Sequence, residues 1–505
     1  MTASDQVRAK IGIEGLDDVL GGGLPSGRLY LLQGDPGVGK TTLALSFLRE
    51  AALGKERCLY ITLSETEEEL RAVAESHSWT LDGITVFEMK LAEDTKASDE
   101  YTLFHPAEVE LSETMDTLLA EVERVKPARV VFDSLSEIRL LAQSSLRYRR
   151  QILALKQHFA GSGCTVMLLD DRTSEVGDTH LQSLAHGVIE LEQLAPLYGA
   201  ERRRLRVIKL RGVKYRGGYH DYKIATGELI VYPRLIASEH RAEPWAEHAS
   251  SGVARFDEML GGGLPRGGSA LIMGPPGTGK SVIAVQFALA AAARGEKAAI
   301  FAFDETIATT LSRAAALDLP LQRHVDDGLV QLQQVDPAEM TPGEFVHEVR
   351  AAVDRGARIV VIDSLNGYLN AMPAEHFLVV QLHELLTFLG QRGVTTILVT
   401  AQHGLLGSNM VAPVDVSYLA DSVILLRYFE CDGELRNAIS VMKKRTGSHD
   451  RAIRRFEVCR NGFRVGEALS HLRGVFTGVP IPTNGDGSGS LDAAPGGDSN
   501  AGHGA

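Results

Sequence analysis

Two stretches of the chain carry the same motif. One reads LLQGDPGVGKTTLALSF and the other LIMGPPGTGKSVIAVQF, and their lysines, Lys40 and Lys280, are 280 − 40 = 240 residues apart. The GGGLP blocks that precede the motifs keep this offset, as do Asp17 and Asp257. Because the repeat is long and carries the same elements in the same order, it predicts two copies of one domain.

The length of 505 residues and the hydrophobic fraction of 44% suffice for two such domains. We expect the first over 1–238, a linker over 239–251 and the second over 252–481. The linker region is polar and lacks apolar periodicity. The remaining segment, 482–505, is rich in Gly, Ser and Asp, so we expect a disordered tail.

Apolar runs alternate with helical patterns in both halves, which predicts an α/β fold. The runs are RLYLLQ, RCLYITL, RVVFD, TVMLLD and GVIELEQ in the first half, and SALIMG, AAIFAF, RIVVID, TTILVT and SVILLRY in the second. Helical patterns over 41–52 and 345–355 lie between them. Near-continuous apolar strands between helices indicate a mostly parallel sheet with helices on both faces.

Charge and cysteine usage exclude several classes of protein. The net charge of −13 argues against a protein whose main role is to coat nucleic acid. The four cysteines form no CxxC pair, so neither a zinc site nor a disulfide framework is indicated, and Cys58 and Cys164 lie in apolar runs typical of a core. We find no signal-peptide pattern and no apolar stretch long enough for a membrane span, so we expect a cytoplasmic protein.

Both motifs satisfy the pattern GxxxxGK[ST], each between a predicted strand and a predicted helix. Glycines in such a loop let successive backbone N–H groups point at phosphate oxygens, and the helix N-terminus favours the anion. We predict that Lys40 and Lys280 reach the terminal phosphates of ATP. The predicted ATP-binding residues are Gly34, Asp35, Pro36, Gly37, Val38, Gly39, Lys40, Thr41 and Thr42 in the first loop, and Gly274, Pro275, Pro276, Gly277, Thr278, Gly279, Lys280, Ser281 and Val282 in the second.

A second pair of motifs predicts magnesium sites. ARVVFDSLS ends an apolar run at Asp133, and ARIVVIDSLN ends one at Asp363. A carboxylate at this end of a strand can hold Mg²⁺ together with the hydroxyl of the loop, here Thr41 or Ser281. The alternative is that each Asp is only a turn residue.

Hydrolysis also requires a group that positions or activates water. Ser64-Glu65 follows the run CLYITL, and Asp304-Glu305 follows the run AAIFAF. Glu65 and Glu305 keep the 240-residue offset. We predict these three acids as catalytic candidates. The alternative is that they only stabilise the N-terminus of the next helix.

Basic residues are dense near the end of each half, over 201–220 and 437–456. Three interpretations remain open at this point. The stretches could be solvated edge strands, whose charges prevent aggregation, or they could contact nucleic acid. The third is that their cations reach the nucleotide of a neighbouring subunit and offset charge on the transferred phosphoryl group.

Taken together, GxxxLDxxLGGGLPxG, the P-loop, the acidic strand end, DSL and KLRG, each duplicated unchanged or with small changes, resemble the KaiC family of two-domain RecA-like ATPases, over about residues 8 to 480. The resemblance implies tandem RecA-like P-loop NTPase domains. It also implies a double-ring homohexamer with ATP and Mg²⁺ at subunit interfaces, so the third interpretation of the basic stretches is favoured. The residues that it implies for contacts in trans are Lys209, Leu210, Arg211, Lys443, Lys444, Arg445 and His449.

The same resemblance implies autophosphorylation near the end of the second domain. The family's adjacent Ser-Thr phosphosites fall on Ser417 and Tyr418, so the serine is kept and the threonine is replaced. The family's paired glutamates fall on Ser64-Glu65 and on Asp304-Glu305.

We therefore predict a KaiC-like hexameric ATPase and Ser/Thr autokinase acting in clock-like or signalling regulation, with Kai-type or signalling proteins as candidate partners. Two alternatives belong to other classes. A RecA-like motor of recombination or repair would show ATPase activity stimulated by DNA. A non-catalytic signalling scaffold would use ATP only to hold its ring.

Overall fold

The alternation of apolar runs and helical patterns produces two α/β units. The computed structural model describes residues 7–89, 106–172, 179–196, 199–239, 245–370, 378–402, 417–477 and 480–483. One compact unit comprises Met1–Ile236 with Asp336–Ala351, and the other Ala237–Val335 with Ala352–Ala505.

The first unit is built on a sheet in which the described residues form nine strands, in the order β11-β10-β9-β8-β3-β7-β6-β4-β5. The strands from β8 to β5 are parallel, whereas β9, β10 and β11 extend the sheet as antiparallel strands. The strands are β1 (Arg8–Ala9), β2 (Leu24–Pro25), β3 (Leu29–Gly34), β4 (Cys58–Thr62), β5 (Ile84–Glu88), β6 (Arg129–Asp133), β7 (Thr165–Asp171), β8 (Gly187–Leu194), β9 (Arg202–Leu210), β10 (Tyr219–Ala225) and β11 (Glu228–Tyr232). The helices are α1 (Glu14–Val19), α2 (Lys40–Leu53), α3 (Glu67–Ser76), α4 (Pro106–Val125), α5 (Leu135–Ala142), α6 (Ser145–Phe159) and α7 (Thr179–Leu184).

The second unit repeats this plan, with a main sheet in which the described residues form nine strands, in the order β16-β15-β17-β18-β14-β19-β20-β21-β22. Its strands are β12 (His248–Ala249), β13 (Leu264–Pro265), β14 (Ser269–Gly274), β15 (Lys297–Ala302), β16 (Val330–Gln334), β17 (Ala357–Asp363), β18 (Thr395–Ala401), β19 (Ser422–Cys431), β20 (Glu434–Lys444), β21 (Arg454–Cys459), β22 (Gly462–Ala468), β23 (Leu472–Arg473) and β24 (Ile481–Pro482). Its helices are α8 (Ala254–Met259), α9 (Lys280–Ala293), α10 (Ile307–Ala316), α11 (Leu321–Asp326), α13 (Leu365–Asn370) and α14 (Leu378–Gln391), and α12 (Pro342–Asp354) precedes β17 in the chain.

Apolar side chains cover both faces of the first sheet. Tyr30 and Leu32 of β3 pack into one core with α2, whereas Leu29 and Leu31 point into a second core with α4, α5 and α6. Successive side chains of a strand point to opposite faces, so a buried parallel strand is apolar along its whole length. This explains why the runs in the sequence are continuous rather than alternating.

The predicted fold class and the apolar runs are confirmed, and each run matches a strand to within one to three residues at its ends. Cys58 and Cys164 are buried, as expected. The edge-strand interpretation of the basic stretches is wrong for β9 and β20, because each pairs with a strand on both sides. Strand order depends on contacts between distant segments, so a local charge pattern could not fix it.

The domain limits stay predictions, and the tail from residue 484 onward lies outside the described residues.

Candidate nucleotide-binding sites

The first P-loop connects β3 to α2, and its geometry fits a triphosphate. Gly39 has φ 94°, a left-handed conformation that favours glycine, and α2 begins at the next residue, Lys40. The Lys40 ammonium is buried and donates hydrogen bonds to the carbonyl oxygens of Gly34 at 2.8 Å and Asp35 at 2.9 Å. The lysine is therefore folded back onto its own loop, at the place where phosphates are bound in P-loop proteins.

Thr41 and Asp133 come together as the sequence predicted for a magnesium site. Thr41 Oγ1 donates to Asp133 Oδ2 at 3.2 Å, and the buried Tyr60 hydroxyl donates to the same carboxylate oxygen. Burial raises the pKa of Asp133, and the hydrogen bonds from Tyr60 and Thr41 partly offset this. Sequence reasoning missed Tyr60, because its role depends on β4 lying beside β6.

Glu65 lies in the loop between β4 and α3, close to this pair. Its main chain is fixed by Thr62, whose Oγ1 accepts from the Glu65 N–H at 3.0 Å and donates to the Glu65 carbonyl at 2.7 Å. Its Oε2 atom is buried and, within the described part of the chain, has no hydrogen-bond partner. Burial, followed by the negative charge of Asp133, raises the pKa of Glu65.

Asp171, at the end of β7, is a site residue that the sequence analysis did not identify. Its Oδ1 lies 2.7 Å from Lys40 Nζ, and Ser136 Oγ donates to its Oδ2 at 3.1 Å. β7 pairs with β3 so that Asp171 is in register with Gly34. The sequence indicates only that Asp171 is an acid at the end of an apolar strand. It does not show that this strand lies beside the P-loop, because strand order depends on contacts between distant segments.

The second P-loop has the same backbone but different contacts. Gly279 has φ 95° and α9 begins at Lys280, whose ammonium donates to the Pro275 carbonyl at 2.8 Å. Burial lowers the pKa of Lys280 to about 8, and the charge of Asp363 opposes this shift. Burial raises the pKa of Asp363, while a hydrogen bond from Ser281 lowers it, so the predicted Ser281–Asp363 pair is also brought together.

The two acids predicted for the second site are engaged by neighbouring side chains. Asp304 accepts a hydrogen bond from the hydroxyl of Ser364. Glu305 forms an ion pair with Arg313 and accepts from Thr310 Oγ1 at 3.4 Å. Both acids thus differ from Glu65, which keeps a buried oxygen unpartnered among the described residues.

The basic segments lie away from the P-loops of their own units. Lys209 pairs with Val188, which pairs with Leu31 of β3, three residues before Gly34. This places Lys209 about 10 Å from the loop along the strand and another ~10 Å across two strands. Its ammonium donates to the Gln182 carbonyl.

The residues that follow Lys209 lie still farther from the loop along the strand. Leu210 is buried, and Arg211 donates to the Ser183 carbonyl at 2.8 Å.

The second unit repeats this placement. Lys443 pairs with Val423, which pairs with Leu271, again three residues before the loop glycine Gly274. Lys444 donates to the Leu260 carbonyl, and His449 lies half-buried in the loop between β20 and β21.

The candidate phosphorylation residues lie beside this second basic segment. Lys443 Nζ donates to the carbonyls of Ser417 and Ala420, both at 2.9 Å. Arg445 Nη2 donates to the Tyr418 carbonyl at 2.5 Å, and the Tyr418 side chain is 54% exposed. Ser417 and Tyr418 therefore lie beside the basic segment of their own unit, away from its P-loop.

Within the described ranges, no helix has both the length and the apolar character to cross a membrane. Over the same ranges, no group of three or more His, Cys, Asp or Glu side chains could hold a metal ion by itself. The Thr41–Asp133 pair still fits Mg²⁺, which is bound in phosphate sites by one or two carboxylates, waters and the substrate phosphates.

Comparison with known proteins agrees with this geometry. The family model described as "ATPase: KaiC" matches residues 9–236 and 249–470. The circadian clock oscillator protein KaiC of Acaryochloris marina is 26% identical over 478 residues, covering 93% of this chain and 90% of the relative. That of Synechococcus elongatus is 26% identical over 480 residues, covering 93% and 91%. The circadian clock protein KaiC3 of Synechocystis is 25% identical over 494 residues, covering 94% and 95%.

Proposed function

Because the chain belongs to the KaiC family of ATPases, we propose that it is a magnesium-dependent ATPase that assembles as a homohexameric double ring and autophosphorylates at Ser417. The observation that carries this proposal is the distance between the two functional segments of each unit. The P-loop follows the carboxyl end of β3 or β14, whereas Lys209 and Lys443 lie three residues back along these strands and two strands away. Cations placed there suit the nucleotide of a neighbouring copy rather than that of their own unit.

Such an arrangement links ATP to assembly. A nucleotide held between the P-loop of one copy and Lys209 or Arg211 of the next would bind the assembled form more tightly than the separate chains. Ligands that bind only one state stabilise that state. ATP would then hold the ring together as well as serve as its substrate.

In the first site, the chain's own groups fit hydrolysis. Lys40 would bind the terminal phosphates, and Thr41 and Asp133 would hold Mg²⁺, which when bound neutralises charge on the phosphate oxygens. Glu65 would accept a proton from the attacking water, since its unpartnered buried oxygen and raised pKa suit a general base.

In the second site, hydrolysis should be slower. Asp304 and Glu305 both interact with protein side chains, which compete with water for their carboxylate oxygens. A slow competing reaction with water would favour transfer of the phosphoryl group to a protein hydroxyl. Ser417, whose carbonyl accepts a hydrogen bond from Lys443, would receive it from the ATP of a neighbouring copy.

The proposal includes a regulatory role in a clock-like or signalling system, with Kai-type or signalling proteins as partners. This role is supported by the relatives, which are circadian clock proteins.

The ATPase and assembly are tested together. Light scattering of the purified chain should show a hexamer with ATP and Mg²⁺ and smaller species without them, and Lys40→Ala should weaken this assembly. Glu65→Gln should lower steady-state hydrolysis by at least tenfold, whereas Glu68→Gln, an exposed acid of the same region, should leave it unchanged. Equal rates in both variants would remove Glu65 from the proposal, and strong stimulation by single-stranded DNA would favour the recombination motor instead.

The kinase activity needs its own experiment. Incubation with ATP labelled at the γ-phosphate should label the chain, and Ser417→Ala with Tyr418→Phe should abolish the label. Ser448→Ala removes an exposed hydroxyl elsewhere in this unit and serves as the control. Absence of label on the unmodified protein, or label that persists in the double variant, would contradict autophosphorylation at these residues.

A further inference from the structure

We propose that Asp171 gates the first nucleotide site by holding Lys40 in an ion pair that ATP must displace, a restraint that the second site lacks. The inference concerns regulation of the first site and rests on the proposed function, since it assumes that both P-loops bind ATP.

All three donors of the Lys40 ammonium have partners in the first site. A lysine ammonium has three N–H donors. In the described structure they face the Gly34 carbonyl at 2.8 Å, the Asp35 carbonyl at 2.9 Å and Asp171 Oδ1 at 2.7 Å. A terminal phosphate can reach the ammonium only by replacing one of these partners. Asp171 is the anionic one, and it is the partner that a second anion would repel.

The ion pair between Lys40 and Asp171 is sheltered from solvent, and a second contact holds Asp171 in place. The side chain of Lys40 is 9% exposed and that of Asp171 is 29% exposed, so solvent screens their attraction less than at an open surface. Ser136 Oγ donates to the other Asp171 oxygen at 3.1 Å. Both carboxylate oxygens of Asp171 therefore have partners. ATP must break the contact between Asp171 and Lys40 in order to bind. Asp133 and Glu65 lie nearby and add negative charge that also repels the phosphates.

The two repeats differ at the position of Asp171. Asp171 is in register with Gly34, and the residue in register with Gly274 is Ala401. Alanine has no carboxylate, so the second site cannot form this ion pair. The sequences of the P-loops do not show this difference, because Asp171 belongs to β7 and Ala401 to β18.

The structure therefore predicts two sites with different affinities for ATP. The first site must lose an internal ion pair when the nucleotide binds, and the second need not. A lower ATP concentration would then fill the second layer of sites before the first.

Equilibrium dialysis with radiolabelled ATP and Mg²⁺ tests this on the full chain. Lys280→Ala isolates the first site, and Asp171→Asn is added to it, because asparagine keeps the shape and the hydrogen bond from Ser136 but removes the charge. We expect the Kd for ATP to fall about tenfold, the effect of removing one sheltered competing charge. The reciprocal change, Ala401→Asp in a Lys40→Ala background, should raise the Kd of the second site by about the same factor.

The outcomes separate this inference from the function on which it rests. An unchanged Kd in Asp171→Asn would overturn the gate, and a raised Kd would overturn it in favour of a role for Asp171 in holding the nucleotide. If the Lys280→Ala and Lys40→Ala proteins bind no ATP although they are folded by circular dichroism, the proposed function fails, and the inference fails with it. If Ala401→Asp does not fold, the Asp171→Asn result alone decides.

Discussion

Replacing Tyr60 with Phe removes one oxygen atom from a fully buried side chain and leaves the ring in place. The Tyr60 hydroxyl donates to Asp133, whose carboxylate is itself buried. Without it, Thr41 remains as a hydrogen-bond donor to the same oxygen, at 3.2 Å. The variant therefore leaves a buried charge with less hydrogen bonding.

The structure contains a matched control, Tyr222→Phe. The Tyr222 hydroxyl is also buried, and it donates to the neutral Val38 carbonyl at 2.6 Å. A hydrogen bond to a charged group contributes about 1.5–3 kcal/mol to stability, and a neutral one about 0.5–1.5 kcal/mol. We expect Tyr60→Phe to lower the free energy of unfolding of the first unit by about 2 kcal/mol, and Tyr222→Phe by about 1 kcal/mol.

Urea unfolding followed by tryptophan fluorescence can measure this difference. The chain has two tryptophans, so a Trp245→Phe background leaves Trp79, which is buried in the first unit, as the reporter. Measurements in EDTA without nucleotide keep Mg²⁺ from compensating the charge of Asp133. A cost for Tyr60→Phe equal to or below that for Tyr222→Phe would refute the view that Asp133 depends on this hydrogen bond.

Three further outcomes are expected. Burial lowers the pKa of His220 to about 4, below its ordinary value of 6.5. Between these pH values the unfolded chain binds one more proton than the folded chain, so the free energy of unfolding falls by up to about 3 kcal/mol as the pH drops from 6.5 to 4. Acid titration of a His220→Asn variant should show a smaller loss. Phe256 is completely buried against two other phenylalanine rings, so Phe256→Ala should cost about 3–5 kcal/mol in calorimetric unfolding, and a cost under ~1 kcal/mol would contradict the packing. Burial raises the pKa of Cys58 to about 11 and that of Cys164 to about 12, so both thiols should resist iodoacetamide at pH 7.5 in the folded protein and react after denaturation, as mass spectrometry of the peptides would show.

The parts of the site that are close in sequence could be predicted from the sequence. The loop from β3 to α2 is fixed by local chemistry, because glycine at a left-handed position and a lysine at the first helical residue determine where the ammonium lies. The pairing of Thr41 with Asp133 could also be inferred, because the carboxyl ends of parallel strands meet at one edge of a sheet.

The parts that depend on strand order could not be predicted. Tyr60 and Asp171 act on the first site only because β4 lies beside β6 and β7 lies beside β3. The same limit applies to β9, whose basic residues resemble an edge strand until its two neighbours are known. Arg204 and Arg206 of β9 form ion pairs with Glu192 and Glu190 of β8, so part of the positive charge that appears available in the sequence neutralises acids in the same sheet.

Lys40 and Arg211 contact different parts of the same unit, and their separation has a genetic consequence. Suppose that sites are shared between copies and that a cell holds one allele defective at Lys40 and another defective at Arg211. Some interfaces then combine the intact loop of the Arg211-defective chain with the intact arginine of the Lys40-defective chain. Such alleles should complement each other when co-expressed, whereas two alleles that both carry lesions in the P-loop, or both in the basic segment, should not.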